Sequence, residues 1–223
     1  MEFPDISDTA KLKILCLHGI GTNSDIFKVQ TAAIRHKLGS GFLYDFVEGE
    51  HPWPAAPGID LAFGYRQMCY SYFDGSARSA LTAVKDLEDY VEENGPFDCV
   101  VGFSLGAALA ATLLLQPGRH SARHRIRSAV FLCGTLPCDW AELEQSKLRF
   151  LRARDSNKVI SIPSVHAWSP EDVDYPGQGE QLFEMCEEKN RVQVLHSAGH
   201  GVPSQHFEVE AIAGAIRDMI AKL

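Results

Sequence analysis

Between Cys99 and Leu115 the chain carries no charged residue, and its character changes halfway along. Residues 99–103 form a short apolar run containing Val100 and Val101, whereas residues 105–116 are rich in Ala and Leu, which favour helix. The stretch falls short of the length that crosses a bilayer, and Gly102, Ser104 and Gly106 interrupt it. It reads as a strand running straight into a helix, with Gly102-Phe103-Ser104-Leu105-Gly106 at the junction. So tight a turn brings strand and helix almost into contact two residues either side of the serine, where only small residues fit. Ser104 is then expected in a strained backbone conformation, its hydroxyl projecting above the sheet at the positive end of a helix. A G-x-S-x-G pattern alone is weak. At a strand-to-helix boundary it predicts an activated nucleophile.

The remainder of the 223 residues repeats this pairing of elements. Short apolar runs at 12–17, 43–47, 98–103, 129–133, 164–168 and 192–196 read as strands covered on both faces. Helical patterns cover 25–38, 77–93, 105–115, 140–145, 179–187 and 204–222. Strand followed by helix six times over predicts an α/β fold: a six-stranded, mostly parallel sheet in the order 2-1-3-4-5-6, helices on both faces, right-handed crossovers. With 45% apolar and 22% charged residues the chain has a globular composition, and its length suits one domain over 1–223. Residues 50–76 break the rhythm with Pro52, Pro54 and Pro57 and with Trp53, Phe63, Tyr65, Tyr70, Tyr72 and Phe73. Their length and aromatic content predict a cap-like insertion, with a segment that only packs for stability as the alternative.

A nucleophilic serine needs a base, and the base needs an orienting carboxylate. In open α/β sheets such groups come from loops at the carboxyl ends of strands. After the last strand run, Ser197-Ala198-Gly199-His200-Gly201-Val202-Pro203 places His200 in a glycine-flanked loop, which makes it the expected base, with His196 its nearest rival. After Trp168 comes Ser169-Pro170-Glu171-Asp172-Val173-Asp174, where Asp172 is the expected acid, ahead of Asp174 and of Asp139 on the preceding loop. The chain order Ser104, Asp172, His200 is that of an α/β-hydrolase. An oxyanion needs two backbone donors. Leu105 N–H follows the nucleophile, and Ile20 N–H lies in Leu17-His18-Gly19-Ile20-Gly21-Thr22-Asn23 after the first strand, with His18 expected to hold that loop by hydrogen bonding. The same loop supports a rival: Gly19-x-Gly21-x-x-Ser24, with Glu48 or Glu50 after the next strand, is a dinucleotide fingerprint lacking its third glycine.

A formal charge of −8 gives no drive toward polyphosphates, so neither nucleic acid nor an anionic membrane surface is an expected partner. Cys16, Cys69, Cys99, Cys133, Cys138 and Cys186 are scattered through apolar segments and read as reduced thiols; no metal site and no cofactor are indicated. The N-terminus carries Glu2, Asp5 and Asp8 and no apolar core, so a cytoplasmic location is expected, with Ala221-Lys222-Leu223 close to a peroxisomal address. The run Arg119-His120-Ser121-Ala122-Arg123-His124-Arg125-Ile126-Arg127 offers four arginines that could attract an acidic carrier domain.

Together, Leu17-His18-Gly19 with Asn23 and Phe27, Val101-Gly102-Phe103-Ser104-x-Gly106-Ala107, Val165-His166-Ala167-Trp168 leading to Asp172, and Gly199-His200-x-Val202-Pro203 resemble the FSH family of serine hydrolases. That family is a branch of the α/β-hydrolases with yeast and human esterases and many fungal enzymes of polyketide gene clusters. The chain departs from many of its relatives in having Leu105 rather than Gln and Ser169 rather than Gly. The resemblance implies a thioesterase or esterase acting on a small-molecule ester or acyl thioester, the latter carried by a polyketide synthase carrier domain. An acyltransferase using the same triad, or a ligand-binding hydrolase fold without chemistry, would share these marks.

Overall fold

A computed structural model describes residues 11–117, 125–155 and 159–223. Eight strands are described: β1 (Leu12–Leu17), β2 (Phe42–Val47), β3 (His51–Pro52), β4 (Tyr70–Ser71), β5 (Cys99–Phe103), β6 (Ala129–Leu132), β7 (Ser164–Trp168) and β8 (Arg191–Leu195). Eight α-helices accompany them: α1 (Ser24–Gln30), α2 (Ala32–Leu38), α3 (Ile59–Phe63), α4 (Ala77–Asn94), α5 (Leu105–Leu114), α6 (Trp140–Glu144), α7 (Gln178–Glu184) and α8 (His206–Ile220). Six of the strands form one sheet, β2-β1-β5-β6-β7-β8, with every neighbouring pair parallel. The expected order 2-1-3-4-5-6 counts the sheet strands alone; β3 and β4 lie outside it as a separate antiparallel pair and shift the numbering.

Alternate residues of the central strands supply two cores. Leu15, Leu17, Val100 and Phe131 face α4 and α5, while Ile14, Cys16, Val130 and Val165 face the side covered by Phe27, Ile34, Ile212 and Ile216. Helix α5 is buried from Gly106 to Leu114, which is why its sequence lacks charge: it is packed on all sides by protein. No helix among the described residues is long and apolar enough to cross a membrane.

One expectation is corrected. The helix predicted over 25–38 is two helices that meet at Thr31, whose backbone leaves the helical region (φ −91°, ψ 1°) and whose hydroxyl donates to Phe27 O at 2.7 Å. A threonine hydroxyl competing for the ladder in this way favours a break. The aromatic residues of 50–76, expected as a cap-like insertion, divide between core and surface. Tyr72 and Phe73 are buried in the main core, while Leu61, Tyr65 and Met68 face solvent. The segment is pinned to the loop after β1: Asn23 Nδ2 donates to Met68 O at 2.8 Å, Ala56 N to Gly21 O at 2.8 Å, and Gly21 N to Tyr70 O at 2.9 Å.

Candidate active site

Ser104 sits between β5 and α5 with φ 52° and ψ −115°, a backbone conformation that is costly for any residue with a Cβ. The neighbouring glycines show how closely the segments approach. A Cβ on Gly106 would lie 2.3 Å from Leu17 O, and one on Gly102 would lie 2.5 Å from Ala107 N. Ser104 N donates to Leu132 O at 3.0 Å, and Ser104 O accepts from Thr135 Oγ1 at 3.2 Å, so the turn is anchored to β6 and the loop beyond it.

His200 and Asp172 arrive from the loops after β8 and β7, and the structure brings all three side chains together. His200 Nε2 lies 2.8 Å from Ser104 Oγ, and His200 Nδ1 lies 2.6 Å from Asp172 Oδ2. The Asp172 side chain is 9% exposed and that of His200 10%, so the pair is desolvated on most sides. The other carboxylate oxygen, Asp172 Oδ1, accepts from Asp174 N at 3.0 Å and Tyr175 N at 2.9 Å, an Asx turn that aims Oδ2 at the imidazole.

The competing candidates lie elsewhere. Asp174 contributes its backbone amide to the turn and not a carboxylate to the histidine. Asp139 caps α6 and pairs with Arg149 at 2.9 Å. His196 is buried against Cys133, and burial holds its imidazole below the usual range. His166 is buried beside Ser164, and burial followed by the charge of Arg191 pushes it down to about 3. His120 and His124 lie outside the described residues. One neighbour escaped sequence reasoning: the Tyr175 ring packs 4.5 Å from the His200 ring, which the Phe103 ring also lines at 5.5 Å. Burial, then Asp174 and Asp172, raise the Tyr175 phenol. Its only sequence signal was its place three residues beyond the acid.

The loop after β1 runs beside the serine, since a Cβ on Gly19 would meet the Phe103 ring at 2.7 Å and Ser104 Cβ at 3.4 Å. Gly19 O accepts from Thr22 Oγ1 at 2.6 Å and lies 2.8 Å from His18 Nδ1. Because the peptide group is planar and trans, pinning that carbonyl turns the Ile20 N–H to the opposite side, away from His18 and Thr22. Leu105 N–H belongs to the first turn of α5, whose amides have no acceptor within the helix. His18 is fully buried, faces Gly49 N and Glu48, and stacks on Tyr72; it holds the loop and does not reach Ser104.

These contacts also correct the dinucleotide alternative. Glu48 accepts from Ser24 N at 3.0 Å and Ser24 Oγ at 3.1 Å, so the chain's own carboxylate occupies the N-terminus of α1, where a pyrophosphate would bind. Burial raises the Glu48 carboxyl, but His18 and Ser24 outweigh it and hold the group below its usual value. Gly21 is covered by Pro54 and Ala56, each with a backbone atom 2.6 Å from where a Cβ would stand.

Comparison with known proteins extends these observations. A family model described as "Serine hydrolase (FSH1)" matches residues 7–212. Esterase FPY3 of Fusarium mangiferae is 38% identical over 215 residues, covering 95% of this chain and 98% of that protein. Hydrolase phiM of a fungal species is 29% identical over 216 residues, covering 95% of this chain and 97% of that one. Among solved structures, a carboxylesterase from Mesorhizobium loti superposes with a TM-score of 0.61 at 15% identity, covering 95% of this chain and 89% of that chain, a likeness of fold.

Proposed function

The chain belongs to the FSH1 family of serine hydrolases, and from that premise we propose that Ser104, His200 and Asp172 form the catalytic triad of an esterase. One observation carries the reading: a single imidazole within hydrogen-bond reach of both the strained serine hydroxyl and a buried carboxylate. Ser104 Oγ attacks the ester carbonyl as His200 Nε2 takes its proton. Asp172 keeps the proton of Nδ1 in place, which fixes the tautomer and stabilises the imidazolium that forms. The tetrahedral oxyanion accepts hydrogen bonds from Ile20 N–H and Leu105 N–H, donors already oriented before the charge develops. The C–O bond to the leaving group breaks as His200 returns the proton to it. Water, deprotonated by His200, then attacks the acyl-Ser104; the acyl C–Oγ bond breaks as His200 returns the proton to Ser104 Oγ, and the carboxylic acid departs.

The substrate class is a small-molecule carboxylic ester of fungal secondary metabolism, in keeping with the fungal relatives named esterase. A thioester carbonyl presents the same electrophile to the same groups. Of the arginine run expected to dock a carrier domain, residues 119–124 lie outside the described residues, and Arg127 is engaged with Asp98 at 2.9 Å.

A fluorophosphonate probe should label the protein with one equivalent, located on Ser104 by peptide mass spectrometry, and block hydrolysis of p-nitrophenyl butyrate in parallel. Labelling at another residue, or activity that survives full labelling, would overturn the assignment. The oxyanion loop makes its own prediction. Thr22→Val removes one of the two groups that pin Gly19 O, so kcat should fall by roughly tenfold, less than the 10²–10³-fold cost of deleting an oxyanion donor outright. Parallel losses for a short and a long acyl ester would assign the effect to the loop. A loss confined to one substrate would assign it to binding.

A further inference from the structure

We propose that Cys133 is a positioning residue: its thiol ties the loop that carries His200 to the end of β6 and so keeps the histidine aligned with Ser104. The inference rests on the triad reading above and adds a residue to it.

Cys133 is the first residue beyond β6, and its backbone has φ 44°, a left-handed conformation that a glycine would adopt without strain. A side chain is retained there despite that cost, and its surroundings supply a reason. The sulfur lies 3.4 Å from Gly201 O and 3.6 Å from Gly199 O, the carbonyls on either side of His200. It also lies 3.5 Å from His196 Nε2. Ala198 N donates to His196 Nδ1 at 3.2 Å, which leaves Nε2 as the protonated nitrogen and hence the donor to sulfur. One atom at the end of β6 therefore meets the loop that delivers His200 on both sides of that histidine. Glu208 completes the cradle from α8, accepting from Ser197 N at 2.7 Å and Ser197 Oγ at 2.8 Å.

Sulfur suits this position. Its contacts reach 3.4–3.6 Å, longer than a hydroxyl spans, and it is polarisable enough to serve several partners at once. Burial, and then the charge of Asp172, push the Cys133 thiol up to about 12, so it remains an S–H donor and has no thiolate character. Only 2% exposed, it has no access to substrate.

The test compares Cys133→Ala and Cys133→Gly with the wild type. Ala keeps the strained backbone without the thiol, and Gly removes the thiol while relieving the strain. Both should lower kcat for p-nitrophenyl butyrate by roughly 10- to 100-fold, on the scale that a small misplacement of a catalytic group costs, with KM within about twofold. The low-field proton resonance of the His200 Nδ1–H to Asp172 hydrogen bond should broaden or shift upfield in both. Cys133→Ser, which restores a donor on a shorter bond, should fall between wild type and Ala. In a His200→Ala background, Cys133→Gly should cost nothing further, because the thiol acts through that imidazole. Wild-type kcat and an unmoved resonance in folded Cys133→Gly would overturn the proposal, as would full additivity with His200→Ala. Failure of the triad itself would look different: His200→Ala alone would then retain activity.

Discussion

Replacing Ser104 with alanine should reduce hydrolysis of a short p-nitrophenyl ester by roughly 10⁶-fold, the scale seen when the serine of a Ser-His-Asp triad is removed. The reasoning is local. The hydroxyl is held 2.8 Å from His200 Nε2, so under the proposed mechanism its loss removes both the nucleophile and the proton donor of the first step. Alanine keeps the Cβ and the φ of 52°, and it leaves the bonds of Ser104 N to Leu132 O and Ser104 O to Thr135 untouched. The melting temperature should therefore move little. Activity above background should persist, because the proposed oxyanion donors, the Ile20 and Leu105 amides, are left in place for a carbonyl attacked by water. Turnover within tenfold of wild type would show that the serine is not the nucleophile, and the triad assignment would fall with it.

Asp172→Asn should lower kcat by roughly 10⁴-fold, as amide substitution does where the acid of such a triad orients its histidine. Here the direction of the amide follows from the turn. Oδ1 of residue 172 accepts from two backbone amides, Asp174 N and Tyr175 N, and only an oxygen can take that place. The introduced NH₂ must then face His200 Nδ1 in place of Oδ2. A donor facing Nδ1 selects the tautomer protonated on Nε2, which points a proton at Ser104 and cannot accept one. Asp174→Asn is the matched control: its contribution to the turn is a backbone amide, so kcat should stay within about twofold. Should the control lose as much as Asp172→Asn, the orienting acid would have been assigned to the wrong carboxylate.

Much of this site was legible in the chain because its constraints are short-range. Gly102 and Gly106 flank Ser104 at the spacing a strand-to-helix turn demands, and the structure gives the steric reason in the 2.3 Å that separates an added Cβ on Gly106 from Leu17 O. His200 and Asp172 each stand a few residues beyond the end of an apolar run, a position that is informative because a parallel sheet gathers the ends of its strands along one edge. Other features had no sequence signal. Thr31 stands in an unbroken helical pattern, and only its hydroxyl's bond to Phe27 O marks the break. The aromatics of the insertion look alike in the sequence, yet Tyr72 enters the core and donates to Val47 O while Tyr65 faces solvent.

Local pattern by itself therefore determined the order of elements, the parallel sheet and the candidates proposed as nucleophile, base and acid, since each is written within a few residues of a strand end. Tertiary structure alone decided which oxygen of Asp172 meets the imidazole, which way the Ile20 amide points, and that Cys133 lies beneath the His200 loop. The first and the last depend on groups from separate segments meeting within hydrogen-bonding distance, and the second on how the loop after β1 folds back on its own carbonyl. Residue spacing constrains a single segment's periodicity, whereas the contacts among β6, the two loops and α8 exist only once the cores have packed the sheet between its helices.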